Sequence, residues 1–428
     1  MRAPSFPRLA FLLVLLSPVL ARADWPRFRG PNGNPIESAA VPDTWSADEN
    51  IRWKVDLPGP GSSSPCIAGD LVFVTCYTGY GTSRTDPGQP ANLTRHLLCF
   101  DRRTGALRWE RAVKARRTDD PYRGMIQEHG YASSTPATDG KRVFVFYGKT
   151  GLFAYDLEGN ELWSADLGDG SAVMGWGSAA SPIVHEGVVI MNASAESEAL
   201  VALNAENGQE VWRAQAGGLA GTWCTPVVVE AEVDGNKRQE VVLGVPGEVW
   251  GLNFKTGKLA WYATGVDENV LCTSLVAGPG TVYLVGGRAG TAVAVRLGGK
   301  GDVSQTHVLW TARVGSYVPS PLLHEGRLYW VSDRGIACCI NAENGEVAYR
   351  ERLPGNPAFY ASVVLAGDKL YAVSRLNGTY VLEARPEFKL VAQNVISDDS
   401  SDFSATPAVA DGCLYLRSQR RLYCVGKP

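Results

Sequence analysis

Short apolar runs separated by turn residues fill most of the chain, and the spacing typical of amphipathic helices is almost absent. Many runs belong to one phrase, in which an apolar run leads to Asp or Asn, then Gly, then a second run ending in Trp. An intact copy spans residues 99–109. The recurring tryptophans are Trp53, Trp109, Trp163, Trp212, Trp261 and Trp310. Because an Asx side chain followed by glycine suits a tight hairpin, each copy predicts two antiparallel strands.

A second marker precedes each copy, a Ser or Thr followed by Pro or an aliphatic residue. The eight marker residues are Ser64, Thr135, Ser181, Thr225, Ser274, Ser320, Ser362 and Thr406. Between the two markers, another pair of apolar runs is joined by a glycine turn, as at Asp139-Gly140. Each unit therefore offers four short strands, and eight units predict an all-β, eight-bladed β-propeller with four-stranded blades.

The two ends of the chain predict how the ring closes. The last unit, residues 403–428, stops after its third strand, whereas residues 51–56 form a Trp-bearing strand that belongs to no unit. The N-terminal strand is therefore expected to complete the eighth blade, which avoids a long open sheet edge. The predicted organisation is a signal peptide at 1–23, an irregular N-terminal segment at 24–50 and one propeller at 51–428.

Charge and the N-terminus narrow the class and the compartment. A net charge of −3 over 428 residues carries no basic signature of a nucleic-acid-binding protein. Arg2 and Arg8 flank an apolar stretch that ends at Ala21-Arg22-Ala23, which predicts cleavage near Ala23 and a periplasmic or secreted protein. No later apolar run approaches the roughly 18 residues of a membrane span, so the chain is not expected to span a membrane.

The nine cysteines predict no redox motif, because the chain contains no C-x-x-C. An odd number leaves at least one thiol outside any internal disulfide, and the pairing of the others stays open. The adjacent Cys338 and Cys339 align with the third strand of the sixth unit. That register favours a structural role for both.

The Asp-x-x-Thr-Gly-x-x-x-Trp phrase, seen at Asp101 to Trp109, resembles the repeat of the PQQ-repeat (quinoprotein-like) propeller family. The opening Asp24-Trp-Pro-Arg-Phe-Arg-Gly-Pro-Asn-Gly33 is similar to the first segment of exported members. The resemblance covers essentially the whole mature chain. Because the phrase holds blades together, it implies the fold and leaves the ligand open.

Binding is expected on the face where the chain enters the first strand of each blade, here called the mouth face. The long insertions 77–95 and 113–130 lie there, and long loops on a rigid scaffold usually carry function. The loops 230–239 and 298–307 offer a weaker partner surface on the opposite face. The candidate ligand-binding residues around the channel are Glu128, His129, Tyr131, Trp176, Trp223, Glu268, Tyr317, Tyr360, Asp402 and Phe403. Aromatic faces with a few polar groups suit a flat or sugar-like ligand, and packing between blades is the alternative role of each residue.

The resemblance implies two functions. Enzymes of the family hold PQQ over a tryptophan with a bound Ca²⁺, and here Trp176 or Trp223 would stack while Glu128, Asp267, Glu268, Asn269 or Asp402 would coordinate. Such enzymes are usually longer than this chain. The favoured hypothesis is a non-catalytic, BamB-like scaffold that binds an envelope or extracellular protein, or a small ligand, at the mouth. It has no catalytic or metal-binding residues and no expected cofactor; the alternative is a PQQ- and Ca-dependent alcohol or sugar dehydrogenase.

Overall fold

Successive sets of short strands along the chain each form a separate antiparallel sheet, and together they make an eight-bladed propeller. The computed structural model describes residues 25–288 and 290–427, so the predicted signal peptide lies outside the described residues. Six of the sheets have four strands and two have five. The predicted fold class is therefore confirmed. Within the described residues, no helix is long and apolar enough to cross a membrane.

The blades follow the chain in order. Blade 1 consists of Cys66–Ala68, Leu71–Thr78, Thr94–Asp101 and Leu107–Lys114, and blade 2 of Ala137–Thr138, Arg142–Phe146, Leu152–Asp156 and Glu161–Ala165. Blade 3 consists of Ile183–His185, Val188–Ala193, Ala199–Asn204 and Glu210–Gln215, and blade 4 of Val227–Val233, Asn236–Val245, Glu248–Asn253 and Leu259–Thr264. Blade 5 consists of Val276–Gly278, Thr281–Gly286, Thr291–Arg296 and Val308–Ala312, and blade 6 of Leu322–His324, Arg327–Val331, Ile336–Asn341 and Val347–Arg352. Blade 7 consists of Val364–Ala366, Lys369–Val373, Thr379–Glu383 and Leu390–Asn394, and blade 8 of Ala408–Ala410, Cys413–Arg417, Arg421–Val425 and Ile51–Asp56.

Helical structure is confined to single turns in the connections. These are Pro90–Asn92, Ile126–His129, Gly148–Thr150, Ser194–Ser197, Gly217–Leu219 and Ser304–His307. Two further short strands, Ile36–Glu37 and Gly301–Asp302, add to blades 7 and 4. The apolar core lies between neighbouring sheets, where almost every inward side chain of the inner three strands is buried.

The N-terminal strand closes the ring as predicted. Ile51–Asp56 pairs antiparallel with Arg421–Val425 as the outermost strand of blade 8, with Trp53 opposite Cys424. The pairing contains one bulge beside Trp53. Residues from the two ends of the chain thus share one sheet.

The repeated tryptophan joins neighbouring blades at five junctions. Its indole N–H donates to a backbone carbonyl of the following blade, in the pairs Trp53 to Arg102, Trp109 to Leu157, Trp163 to Ala205, Trp212 to Phe254 and Trp310 to Ala342, at 2.8–3.1 Å. The glycine of the phrase packs under the ring: a Cβ at Gly105 would lie 2.8 Å from the Trp53 indole. Gly105 also has φ of +73°, so both its backbone and its lack of a side chain are required.

Three junctions depart from this pattern. Tyr349 of blade 6 and Ala392 of blade 7 stand at the tryptophan position, and the third is the junction between blades 4 and 5. Blade 5 lacks the Asp-Gly phrase, and Trp261 of blade 4 instead donates to Glu240 of its own blade at 2.8 Å. Loop 298–307 returns to blade 4, where Gly301–Asp302 pairs in parallel with Trp261 and Tyr262. The predicted loop 230–239 is largely part of a long hairpin, and its Arg238 donates to the Gly299 carbonyl at 3.1 Å. The two opposite-face segments therefore pack on each other.

The segment before the first blade runs through the channel and then around the opposite face. Trp25 pairs with Ile67 of blade 1, and Ile36–Glu37 pairs with Leu365 and Ala366 of blade 7. Between these points Arg27 and Arg29 are buried in the channel. Their guanidinium groups donate to backbone carbonyls of three blades.

The cysteines lie mainly in the strands. Cys338 and Cys339 occupy the third strand of blade 6, as predicted, and both are buried. All nine cysteines are present as free thiols, and Cys272 is the one that is only partly buried.

Candidate binding site at the channel mouth

The eight Ser and Thr markers form a ring around the channel. The backbone N–H of one marker donates to the side-chain oxygen of the next marker, at 2.9–3.1 Å, in seven successive pairs from Ser64 to Thr406. The role of the marker is thus to link neighbouring blades through its hydroxyl. An accepted N–H occupies one lone pair of a hydroxyl and leaves its O–H as a donor.

This ring surrounds a cavity of about 140 Å³ that opens on the mouth face. All eight marker residues line it, and Phe28 of the N-terminal segment reaches it from below. The other lining residues are Ser62, Met125, His129, Ser133, Trp176, Ala179, Trp223, Cys272, Val318, Tyr360 and Ser404. Among the described lining residues, none is Asp, Glu, Lys or Arg. The cavity is therefore apolar in its walls and hydroxyl-rich around its ring.

Two indoles form one wall. The ring centroids of Trp176 and Trp223 lie 5.2 Å apart with the planes at 32°. The Trp223 N–H donates to the Gly177 carbonyl at 2.7 Å, which ties the loop that carries Trp176 to blade 4's first strand. Trp223 is buried and Trp176 is half-buried, so the outer indole remains open to a ligand.

The second insertion reaches the cavity through the turn Ile126–His129. The His129 Nε2 lies 2.8 Å from the Trp176 carbonyl, and its Nδ1 lies 2.6 Å from the Ser133 Oγ. Since a carbonyl only accepts, Nε2 carries the proton, and the Ser133 hydroxyl lies within hydrogen-bond distance of both Nδ1 and the His129 carbonyl. Burial lowers the pKa of His129, so the imidazole is neutral at neutral pH.

An ion-pair network fastens this insertion across the mouth. Arg375 of blade 7 binds Glu128 at 2.8 Å and Asp402 at 2.5 Å, and its guanidinium lies 4.4 Å from the Tyr360 ring centroid. Arg84 of the first insertion binds Glu128 at 2.8 Å as well. The carboxylates of Glu128 and Asp402 are thus committed to arginines rather than directed into the cavity.

The remaining candidates lie outside the cavity lining. Tyr131 packs among Tyr77, Tyr80 and Tyr122, with ring centroids 5.4–6.1 Å away, and supports the two insertions. Three other candidates take positions in loops or between rings. Tyr317 lies under Arg288 at 4.4 Å, Phe403 stacks on Tyr423 at 6.1 Å, and the Glu268 side chain lies beside Gly287.

The structure therefore brings together His129, Trp176, Trp223 and Tyr360 in one cavity. Sequence reasoning did not select Phe28, Met125, Ser133, Cys272 or Val318 as lining residues. Only the Ser and Thr markers gave a signal, and their repeat was visible without any indication that their hydroxyls face the channel. Phe28 comes from a segment far away along the chain, so no local pattern predicts its position.

A polar side chamber of about 20 Å³ adjoins the cavity and shares His129 and Ser133 with it. Its lining includes two buried ion pairs, Arg95 with Asp119 at 2.6 Å and Lys149 with Asp120 at 3.0 Å. Ser178 of the same chamber is hydrogen-bonded to Glu196.

Glu196 is a buried carboxyl group with a perturbed pKa. Its Oε2 has no hydrogen-bond partner within the described part of the chain. Burial raises the pKa of Glu196 to about 7, with Asp120 adding to the rise and the Ser178 hydrogen bond and Lys149 opposing it. This carboxyl group therefore exchanges its proton near neutral pH.

Four-stranded blades, tryptophan-docked turns and closure by the N-terminal strand define a PQQ-repeat propeller of eight blades. The sequence model described as outer membrane protein assembly factor BamB matches residues 93–351 and 302–427, and the chain belongs to that family. No curated protein matches the chain.

Two solved structures with TM-scores above 0.5 agree with this fold. BamB from Moraxella catarrhalis has a TM-score of 0.60 at 12% identity, over 87% of this chain and 96% of that chain. The computationally designed Ika8 protein has a TM-score of 0.57 at 13% identity, over 86% and 98%. A quinohemoprotein alcohol dehydrogenase from Comamonas testosteroni has a TM-score of 0.47 at 12% identity, over 95% and 81%.

Proposed function

We propose that this protein is an exported, non-catalytic binding scaffold whose partner docks on the mouth face. The observation that carries the proposal is the presence of exposed apolar side chains on loops of that face, one pair between blades 2 and 3 and one pair on blade 7. Val173 and Met174 are 58% and 57% exposed, and Leu376 and Val395 are 68% and 50% exposed. Exposed apolar loop residues around a preformed cavity are typical of an interaction surface.

The family supports the same function. Its description names an outer membrane assembly factor, so protein binding in the cell envelope is the activity closest to it. The N-terminal residues 1–23 read as a signal peptide, which supports a periplasmic or secreted location after cleavage near Ala23. The partner is accordingly an envelope or extracellular protein, with a small ligand in the cavity as a second occupant.

The PQQ- and Ca-dependent dehydrogenase remains the alternative function, and two features argue against it. The enclosed part of the cavity, about 140 Å³, is close to the volume of about 150 Å³ that takes benzene, so PQQ with its three fused rings would extend out of it. Within residues 25–288 and 290–427, no three His, Cys, Asp or Glu side chains are grouped to hold a metal ion. Both features favour the scaffold over the dehydrogenase.

The scaffold function is tested by cross-linking the purified protein to an envelope fraction. Met174→Glu and Leu376→Glu place a charge on the mouth face and are expected to reduce capture of the partner by at least about tenfold. Leu309→Glu is the matched control, because Leu309 is 42% exposed on the outer strand of blade 5. Equal capture by all three variants would contradict docking on the mouth face.

A second measurement addresses the alternative. The protein is mixed with PQQ and Ca²⁺, and the absorption spectrum and dye-linked oxidation of alcohols and sugars are recorded. The scaffold function predicts neither stoichiometric cofactor binding nor turnover. Both together would replace it with the dehydrogenase.

A further inference from the structure

The mouth cavity is open on one side, and its enclosed part has room for a ligand body of defined size. Its volume of about 140 Å³ matches one six-membered ring, since an engineered cavity of about 150 Å³ binds benzene. The half-buried indole of Trp176 and the Phe28 ring border this space. Flat ring faces are good partners for such aromatic surfaces. The part of the ligand that enters the cavity is therefore the size of a single flat ring.

The buried charge beneath the cavity is positive. Arg27 and Arg29 flank Phe28 in sequence, and they are 6% and 1% exposed. Arg29 donates to the carbonyls of Ser274, Leu275 and Pro321, and Ser274 is itself a lining residue. Arg27 donates to carbonyls of Pro31 and Pro226. Within the described part of the chain, no carboxylate forms an ion pair with either guanidinium.

Buried cations that are paired with backbone carbonyls and with no carboxylate keep their net charge and produce a positive potential around them. Burial lowers the pKa of Arg27 to about 10 and that of Arg29 to about 9, so both are charged at neutral pH. Four carboxylates around the mouth are each held by a basic side chain: Glu128 and Asp402 by Arg375, and Asp119 and Asp120 of the side chamber by Arg95 and Lys149. At the effective dielectric of protein interiors, such charges attract an anion over several ångströms.

The hydroxyl ring provides the contacts for such an anion. Each marker hydroxyl from Thr135 to Thr406 accepts a backbone N–H and retains its O–H as a donor, and the neutral His129 adds no charge. Hydroxyl donors above a positive charge are complementary to a carboxylate, which only accepts.

We infer that the mouth cavity binds a small organic anion with one flat ring and one carboxylate, of the size of benzoate. The ring lies against Trp176 and the carboxylate faces the marker hydroxyls above Arg29. This inference rests on the proposed small-ligand binding at the mouth and names the chemical class of that ligand. It requires neither a cofactor nor a covalent step.

The test compares benzoate with benzamide, which has the same ring and shape but no charge. Titration calorimetry and ligand-observed NMR on the full protein at low ionic strength are expected to give an affinity for benzoate about tenfold higher than for benzamide. Acetate, which has the charge without the ring, is expected to bind at least about tenfold more weakly than benzoate. Benzamide binding as tightly as benzoate would overturn the inference.

Variants locate the site. Trp176→Ala is expected to weaken benzoate and benzamide equally, whereas Met174→Ala, on the same loop but outside the cavity lining, changes neither. Arg29→Met is expected to lower benzoate affinity to that of benzamide, and Arg29→Lys retains the preference. If Arg29→Met does not fold, the comparison of benzoate with benzamide on the wild type, together with Trp176→Ala, still tests the inference. Benzoate binding that is unchanged in Trp176→Ala overturns the site.

Failure of this inference is distinct from failure of the scaffold function. The capture experiment uses Met174→Glu and Leu376→Glu on exposed loops, and neither residue lines the cavity. Loss of partner capture with benzoate binding intact removes the protein-docking proposal alone. Partner capture without any benzoate binding removes the ligand class alone.

Discussion

At the scale of single residues, the effect of burial on an ionisable side chain depends on the partners that the side chain has, as Arg375 and Glu196 show. Arg375 has two carboxylate partners, so its burial is compensated. Glu196 is also buried, but one of its carboxylate oxygens has no partner within the described residues. A buried carboxylate without a full set of hydrogen bonds is costly to ionise, and its pKa rises. The pH dependence of stability should therefore report on Glu196.

The first prediction concerns the variant Glu196→Gln, which keeps the hydrogen bond with Ser178 and removes the titratable carboxyl group. The pKa of Glu196 rises from 4.5 to about 7 on folding, so the folded state binds more protons than the unfolded state between these values. Stability contributed by this group is then complete below pH 4.5 and is lost as the pH rises through 7. The variant should match the wild type near pH 5 and exceed it by about 2–3 kcal/mol near pH 8.

Urea unfolding at the two pH values measures this difference. Glu206→Gln is the control, because Glu206 is exposed on a turn of blade 3. Glu206→Gln should leave the free energy of unfolding unchanged at both pH values. A wild-type stability that is flat between pH 5 and 8 relative to Glu196→Gln would show that Glu196 stays ionised throughout.

At the scale of the element, the hairpin phrase does two things at once. Its Asx residue closes the turn, as Asp101 does by accepting from the backbone N–H groups of Arg103 and Thr104. The indole of the preceding blade then packs against its glycine. The same residues therefore specify the local turn and the contact between blades. This is why the spacing of Trp and Gly predicts the fold well.

The predicted cost of this double role is tested by Gly105→Ala. A methyl group there meets the Trp53 ring at 2.8 Å and sits at a φ of +73°. Gly187→Ala is the matched control, with φ of +75° and no atom within 4 Å of its Cβ position. The control should cost about 1 kcal/mol for the backbone alone, and Gly105→Ala about 2–4 kcal/mol. Equal losses in urea unfolding would mean that the indole shifts without cost.

The same comparison indicates what the sequence predicts and what it does not. Blade number, strand order and closure follow from repeats, because each copy carries its own turn and docking residues. The cavity lining does not follow, because Phe28 and Met125 reach it from non-repeating segments. Glu128 and Asp402 were candidates by position alone, and their pairing with Arg375 depends on loops from separate blades. Such contacts are set by tertiary packing and leave no linear pattern.

At the scale of the whole molecule, one stretch near the N-terminus connects most of the ring. Residues 25–50 contact blades 1 and 7, pass through the channel and lead into the strand that completes blade 8. Closure therefore depends on a contact between residues more than 300 positions apart, such as Trp53 with Cys424. Contacts of this kind form late in folding, because the loop-closure entropy must first be overcome.

The last prediction concerns this closure. Trp53→Ala removes the indole that joins blade 8 to the Arg102 carbonyl of blade 1, and Trp310→Ala removes the equivalent indole between blades 5 and 6. Both variants lose an indole hydrogen bond between blades. The loss is about 3–5 kcal/mol for the buried Trp53 and smaller for the partly buried Trp310. Only Trp53 lies in a strand whose sole sheet neighbour is the C-terminal strand Arg421–Val425. Loosening it should release Ile51–Asp56 locally, whereas loss of Trp310 leaves strands that neighbouring chain segments still hold.

Limited trypsin digestion with mass spectrometry measures the difference, because Arg52 and Lys54 are cleavage sites within the closing strand. Trp53→Ala should be cut at these sites well before global unfolding, and Trp310→Ala and the wild type should not. Equal protection of Arg52 and Lys54 in both variants would mean that the backbone pairing with Arg421–Val425 holds the ring closed without the indole. In that case the tryptophan would contribute to the stability of each junction without determining whether the propeller closes.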